Sequence, residues 1–331
     1  MNFNTLLIRC LALAAGLAFA TGATAQVTLK LAHYAEAGHP ANQAALQFSQ
    51  RVEARTKGQV KVSVYPANAL GSPPEQLQQV KLGVIDMGLP TQGAMDKYNK
   101  AFAVVMLPFV FEDLAHAHRV LDGPAMDWLG PLAEKDGFFL LSNWEYGFRN
   151  LTNSKLPINT PADVKGLKIR VPPEVQLEAA MEALGANVTK IAFPELYMAL
   201  SQGVVDGEEN PIAVIAHNKF YEVQKHLALT RHAYNSMMHV ISAKTWARLT
   251  PEQRTIVREE SRSAGELMRK TIAAEEDVQI AKLQAQGMQV TRPDPKLFRA
   301  AMEPAYRRIG AYAGEANVQQ FMKMVDAQRS K

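Results

Sequence analysis

LKIRVPP, residues Leu167 to Pro173, sets a single arginine inside an apolar run that ends in two prolines. The alternating apolar side chains predict a strand, and the prolines close it, because proline cannot donate to a sheet ladder. Arg170 therefore stands at the C-terminal end of a strand, with Pro172 just beyond it. In open α/β sheets that edge is where ligands bind. A guanidinium there either pairs with an internal Asp or Glu or waits for a carboxylate that the chain does not carry. The residues alone leave both readings open.

Working outward, strands alternate with helices. VTLKLAH (Val27 to His33), VKVSVYP (Val60 to Pro66) and VIDMGLP (Val84 to Pro90) read as strands. Between them lie a helix from Pro40 towards Gly58 and a short helix from Pro74, closed by Gly83. The strongly apolar FAVVMLPFVF (Phe102 to Phe111) precedes Asp113, which caps a helix, and FFLLSNWEY (Phe138 to Tyr146) is another buried strand. Thr160 and Pro161 form an N-cap and first turn ahead of LKIRVPP. A helix (Val175 to Gly185), a strand (Asn187 to Ile191) and a helix (Phe193 to Gln202) follow, and Asn210 with Pro211 reads as the start of another helix. This rhythm predicts parallel α/β architecture. From Pro251 to about Gln286 the helical pattern hardly breaks, which is long for one domain and suits a helix that bridges two. The tail from Pro295 to Lys331 is helical and amphipathic.

Met1 to Ala25 reads as an export signal: a weakly basic start, the apolar run Leu11 to Ala20, and small residues at Ala23-Thr24-Ala25. Cys10, the one cysteine, lies inside it, so the expected mature chain has no thiol and neither disulfides nor cysteine chemistry. Loss of Arg9 leaves 35 basic residues of the original 36 against 32 acidic ones. That mild, scattered positive charge argues against a nucleic-acid partner. No later apolar stretch approaches the length of a membrane span.

Catalytic signatures are missing: no GxGxxG, Walker loop, GxSxG or HExxH occurs. The histidines are too scattered to predict a metal site, and no cofactor is implied. Arg149, directly after WEYGF, is a second fork that could match a carboxylate or simply carry charge in a loop. Asn210 is a helix cap or an anion contact. Glu208 and Glu209 beside it would repel an anion unless they turn away or accept from hydroxyls. Phe193 is core or a ligand wall. Glu145, Gln92 and His39 sit at strand ends or loops, where each is an ordinary polar residue or a ligand contact.

Taken together, WEYGFRNLTN, TPADVKGLKIRVPP, FPELYMALSQGVVDGEENP and FYEVQKHLALT, with YPANALGSPPEQL and GVIDMG ahead of them, resemble one family. They look like the periplasmic solute-binding proteins of tripartite ATP-independent periplasmic (TRAP) transporters, the C4-dicarboxylate-binding class. The resemblance covers Gln26 to Lys331. It implies a two-lobed periplasmic-binding-protein fold with the long helix across both lobes. The expected division is 26–147 plus 236–275 for one lobe and 148–235 plus 276–331 for the other. It further implies a monomer that binds an organic acid in the periplasm and passes it to a membrane permease, without catalysis. By position, Arg170 makes the carboxylate salt bridge, Arg149 a second polar contact, Asn210 a ligand contact, and Phe193 lines the site. Sialate binders of the family carry an acidic residue after GVIDMG, whereas LPTQG here has Thr91 and Gln92. Neutral and acidic acceptors (Glu145, Gln92, Glu209, His39) suit a hydroxylated monoacid, so the expectation is a uronate such as glucuronate or galacturonate, or an aldonate. A C4-dicarboxylate, or an enzyme acting on sugar acids, is the alternative.

Overall fold

The computed structural model describes residues 26–329, so the expected export signal lies outside the described residues. Nine strands form one mixed sheet: β1 (Val27–Ala32), β2 (Val60–Tyr65), β3 (Met87–Gly88), β4 (Phe138–Asn153), β5 (Lys168–Val171), β6 (Asn187–Lys190), β7 (Gly207–Asn210), β8 (His226–Ser242) and β9 (Gln289–Thr291). The order is β2-β1-β3-β8-β4-β7-β5-β6, with β9 pairing β8 off this path. Each outer third is a parallel trio, β2-β1-β3 and β7-β5-β6, as the alternation of strands and helices predicts. The centre is not parallel. β4 and β8 are long antiparallel strands that tie the two trios together. The fold is thus two α/β lobes sharing a central ribbon.

That ribbon departs from the sequence expectation. FFLLSNWEY was read as a strand ending at Tyr146, yet β4 continues to Asn153. The 17-residue β8 was not anticipated at all. Both are buried nearly end to end, so they lack the plain inside–outside alternation that marks a half-exposed strand. Gly147 lies at a register shift in β4 with φ 112°, a conformation open to glycine, and pairs with Asn235 of β8. Val84 to Pro90 contributes only the two residues of β3, and the strongly apolar run from Phe102 begins in buried 3-10 turns (Lys100–Met106).

Buried residues fall into two clusters that follow the two faces of the sheet, not the two lobes. Leu29, Leu31, Trp144, Tyr146, Met237 and Ile241 belong to one; Ala32, Phe148, Ile169, Met238 and Val240 belong to the other. Consecutive residues of one strand divide between the clusters because strand side chains alternate. The long helix, Pro251–Ala285, runs on the first face. Thr250 and Gln253 cap its start reciprocally, with Gln253 N donating to Thr250 Oγ1 at 3.2 Å and Thr250 N to Gln253 Oε1 at 3.0 Å. It is pinned to the central ribbon where Trp144 Nε1 donates to Ser261 O at 2.9 Å and Ser261 Oγ meets Ser142 Oγ and His239 Nδ1 at 2.6 and 2.8 Å. Gly265 permits this approach: a Cβ there would sit 2.7 Å from Asn143 O.

Candidate ligand-binding site

Between the two trios lies a cavity of about 260 Å³. Arg170, Arg149, Asn210, Phe193 and Pro172 line it, together with Tyr34, Tyr146, Thr91, Lys97 and Glu174. The volume sits just below the range of about 300–1,000 Å³ usual for small-molecule pockets.

Arg170 is 1% exposed on β5, one residue before the strand ends. Its Nε donates to Ile191 O at 2.9 Å, which aims the fork, but Nη1 and Nη2 have no partner. The guanidinium carbon stands 6.0 Å from the Phe193 ring. Burial pulls its pKa down to about 10, against the upward pull of Glu209 and Glu208 and with a further push from Arg149. Such a group favours an incoming anion, since an unpaired buried charge is expensive.

Arg149 behaves differently. It lies in β4, not in an exposed loop, and is 1% exposed. Its Nε and Nη2 grip the Glu209 carboxylate, the Nη2–Oε1 distance being 2.8 Å, and Nη2 also donates to Glu209 O at 2.7 Å and Asn210 Oδ1 at 3.2 Å. Burial opposes the charge on both partners. The pair outweighs it, holding the guanidinium above and the Glu209 carboxyl below their ordinary ranges. His232 Nε2 also meets Glu209 Oε2 at 3.2 Å. The two arginines of the cavity are therefore not equivalent: one is closed by an internal carboxylate and the other is open.

Asn210 does not cap a helix. It ends β7, and Pro211 is the N-cap of the short helix Ile212–His217. Its Oδ1 accepts from Tyr146 OH at 3.1 Å and from Arg149, while Nδ2 donates to Glu208. Glu208 also accepts from Thr152 Oγ1 at 2.8 Å, and burial raises its pKa to about 7.

Four expected contacts do not line the cavity. Glu209 is spent on Arg149. Glu145 turns to the opposite side of β4 and meets His118 Nε2 at 2.6 Å, leaving the neighbouring Tyr146 on the cavity. Gln92 donates to Asn143 Oδ1 at 2.9 Å, and the neighbouring Thr91 faces the cavity. His39 is an N-cap: its Nδ1 accepts from Ala41 N at 3.0 Å, and its ring packs edge-on against Tyr34, 5.5 Å between centroids. Tyr34, Tyr146 and Phe193 form an aromatic wall, Tyr34 meeting the other two edge-on at 5.3 and 6.1 Å. Tyr34, Tyr146 and Glu174 were not singled out from sequence. No helix of the described residues is long and apolar enough to cross a membrane, and no cluster of three or more potential metal ligands occurs among them.

Residues 31–312 match the family described as Bacterial extracellular solute-binding protein, family 7. An uncharacterized protein of Sinorhizobium fredii is 39% identical over 281 residues, 84% of this chain, and the chain spans 52% of that protein. The sialic acid-binding periplasmic protein of Vibrio cholerae is 32% identical over 98% of this chain and 99% of its own length. A TRAP periplasmic solute-binding protein from a Sulfitobacter species, solved with bound β-D-galacturonate, superposes with a TM-score of 0.86 at 32% identity, covering 89% of this chain and 98% of that one. One from Sulfurospirillum deleyianum, solved with bound succinate, gives 0.85 at 31%, covering 92% and 100%. With the two-lobed fold and the arginine-lined cavity between the trios, these matches show that the chain belongs to the family 7 extracellular solute-binding proteins, the periplasmic binders of TRAP transporters.

Proposed function

We propose that the protein captures a sugar acid, a uronate such as D-galacturonate or D-glucuronate or a related aldonate, by pairing its carboxylate with Arg170. TRAP binders take small organic acids and work with a membrane permease; the sugar-acid class is the finer reading. The observation that carries it is the buried Arg170 on the cavity lining, with Nη1 and Nη2 unpartnered. The Sulfitobacter relative with bound galacturonate supports it, and so do the hydroxyl and carboxyl groups of Thr91, Tyr146 and Glu174 on the lining. Buried hydroxyls left unpaired would lose about 1–3 kcal/mol each, so a polyol acid needs such a lining.

Capture proceeds by closure of the lobes. The expected boundaries at 147/148 and 235/236 meet in the sheet, where Gly147 pairs with Asn235 beside a register shift. Glu275, at the third boundary, lies with Gly147 along one crease. We take this crease as the hinge. The protein acts as a monomer, alters no bond in its cargo and needs no cofactor, metal or nucleic acid.

The test is a thermal-shift screen of uronates, aldonates and C4-dicarboxylates, followed by calorimetry on wild type and Arg170→Lys. A ligand at 100-fold its dissociation constant adds about 2.7 kcal/mol of stability. Lysine cannot form the planar fork, and truncating one partner of a buried charge pair loses roughly 2–5 kcal/mol. Undiminished binding to Arg170→Lys refutes the clamp. Succinate shifts with no uronate or aldonate shift refute the sugar-acid reading in favour of a dicarboxylate. Consumption of the bound acid on long incubation refutes the transport reading in favour of an enzyme.

A further inference from the structure

Glu174 sits at the end of the cavity lining that sequence reasoning did not reach. It is 4% exposed and occupies the N-cap position of the helix Val175–Ala183. An acidic or polar side chain there ordinarily accepts from the first amides of its own helix. This one makes no such bond. It turns instead to Thr91, whose Oγ1 donates to Oε1 at 2.7 Å. That bond joins a residue from the first parallel trio's side to one from the second, across the cavity. Oε2 has no partner, although a carboxylate offers about four acceptor sites.

The other cations on the lining differ from Arg170. Arg149 is closed by Glu209. Lys97 is half exposed and has Asp96 Oδ1 at 3.5 Å. Arg170 alone lacks a carboxylate among the charged groups that line the cavity. A ligand with one carboxylate neutralises Arg170. A second carboxylate would find no other buried cation unpaired, only the half-exposed Lys97, and would share the cavity with Glu174. Like charges juxtaposed in a binding site weaken binding strongly. A hydroxyl is the complement: it donates to the free carboxyl oxygen and carries no charge.

Resting on the Arg170 reading, we infer that Glu174 is the specificity-determining residue of this site. It accepts a hydroxyl hydrogen of the ligand and excludes acids that would set a second carboxylate beside it. Thr91 is the positioning residue that draws the Glu174 carboxyl away from the first amides of its own helix, leaving Oε2 beside Gly93. Burial raises the pKa of Glu174 to about 7, so the carboxylate form is reached above neutrality.

Calorimetry at a pH of about 8 with D-galacturonate, D-galactonate and succinate tests this on wild type, Glu174→Gln and Arg170→Lys, each checked for an intact fold by circular dichroism. Wild type should bind a sugar acid and prefer it to succinate. Glu174→Gln, isosteric and uncharged, should lose about tenfold for its sugar acid and gain at least about tenfold for succinate. Arg170→Lys should lose all three. An unchanged sugar-acid to succinate ratio in Glu174→Gln, with Arg170→Lys still losing binding, overturns the selector alone. Normal binding by Arg170→Lys overturns the clamp beneath it. Thr91→Val supplies a milder check: it should shift the same ratio in the same direction, and no shift in either Thr91→Val or Glu174→Gln overturns the inference. Wild-type preference for succinate overturns it outright.

Discussion

Arg170→Met should abolish ligand binding and yet make the ligand-free protein more stable. The guanidinium is fully buried, and its pKa falls from an ordinary 12.5 to about 10. That depression corresponds to a cost on the order of 3 kcal/mol. The sign follows from the chemistry: a base whose folded pKa is depressed is destabilising while it stays charged, which here means at every pH below about 10. Methionine removes that charge and fills similar volume, as in the replacement of buried ionic groups by apolar ones. It also forfeits the Nε bond to Ile191 O, a loss of about 1 kcal/mol. The net gain is about 2 kcal/mol. The assay is urea unfolding of both proteins after ligand has been stripped by unfolding and refolding, since bound acid would stabilise only the wild type. A variant that is equally stable or less stable when ligand-free would sink the claim that Arg170 is held uncompensated.

The neighbouring arginine should respond in the opposite way. Arg149→Ala leaves Glu209 buried without its partner, so it should destabilise the ligand-free protein by about 3–5 kcal/mol in the same assay; a change under about 1 kcal/mol would contradict the closed pair. The pH profile has two opposing parts. His33, His39 and His239 are pulled by burial to about 4, 3 and 3. As pH falls below about 6.5 the unfolded chain takes up protons that the folded one refuses, and stability is lost down to those folded values. Glu174 and Glu208, raised by burial to about 7, act in reverse, adding stability as pH falls from about 7 to 4.5. Below about 4.5 Glu209, held low by Arg149 against the effect of burial, joins the histidines. Urea midpoints should therefore change little between pH 7 and about 4.5 and drop steeply below; a steep drop already complete by about pH 5.5 would show that the buried carboxyls do not offset the histidines.

Most of the outer trios was legible, β7 excepted, because those strands are short and bounded by turns. Thr160, Asp113 and Thr250 with Pro251 all mark helix starts by the same local chemistry. The central ribbon was not legible, since β4 and β8 are buried on both faces and 72 residues of chain (154–225) separate them. The site shows a sharper limit. Three expected contacts missed by one residue: Glu145 for Tyr146, Gln92 for Thr91, Glu209 for Asn210, the last of which was also expected in its own right. In β4 and β7 side chains alternate, so an error of one residue exchanges the cavity for the other face. Which face looks into the cavity depends on the register shifts in β4, and composition does not encode them. Glu174 went unnoticed because an acidic residue before a helix has a sufficient local explanation that the fold then declines to use.

The remaining question is why Arg170 stays open when a carboxyl lies directly beside it. In the β5–β7 ladder Arg170 is the partner of Glu208, so an internal ion pair is the obvious default. Two neutral donors prevent it. Thr152 Oγ1 occupies Oε1 of Glu208 and Asn210 Nδ2 occupies Oε2. With a donor fixing each oxygen and the group driven towards its protonated form by burial, Glu208 lacks the full charge to claim the guanidinium. Asn210 is itself fixed by Tyr146 and by Arg149, which Glu209 in turn holds in place. Each neighbour of the open arginine is thus bound to something else. The residues that sequence alone would enrol as ligand contacts act here largely by binding one another, so that the strongest unfilled demand for a carboxylate in this part of the molecule falls on the cavity.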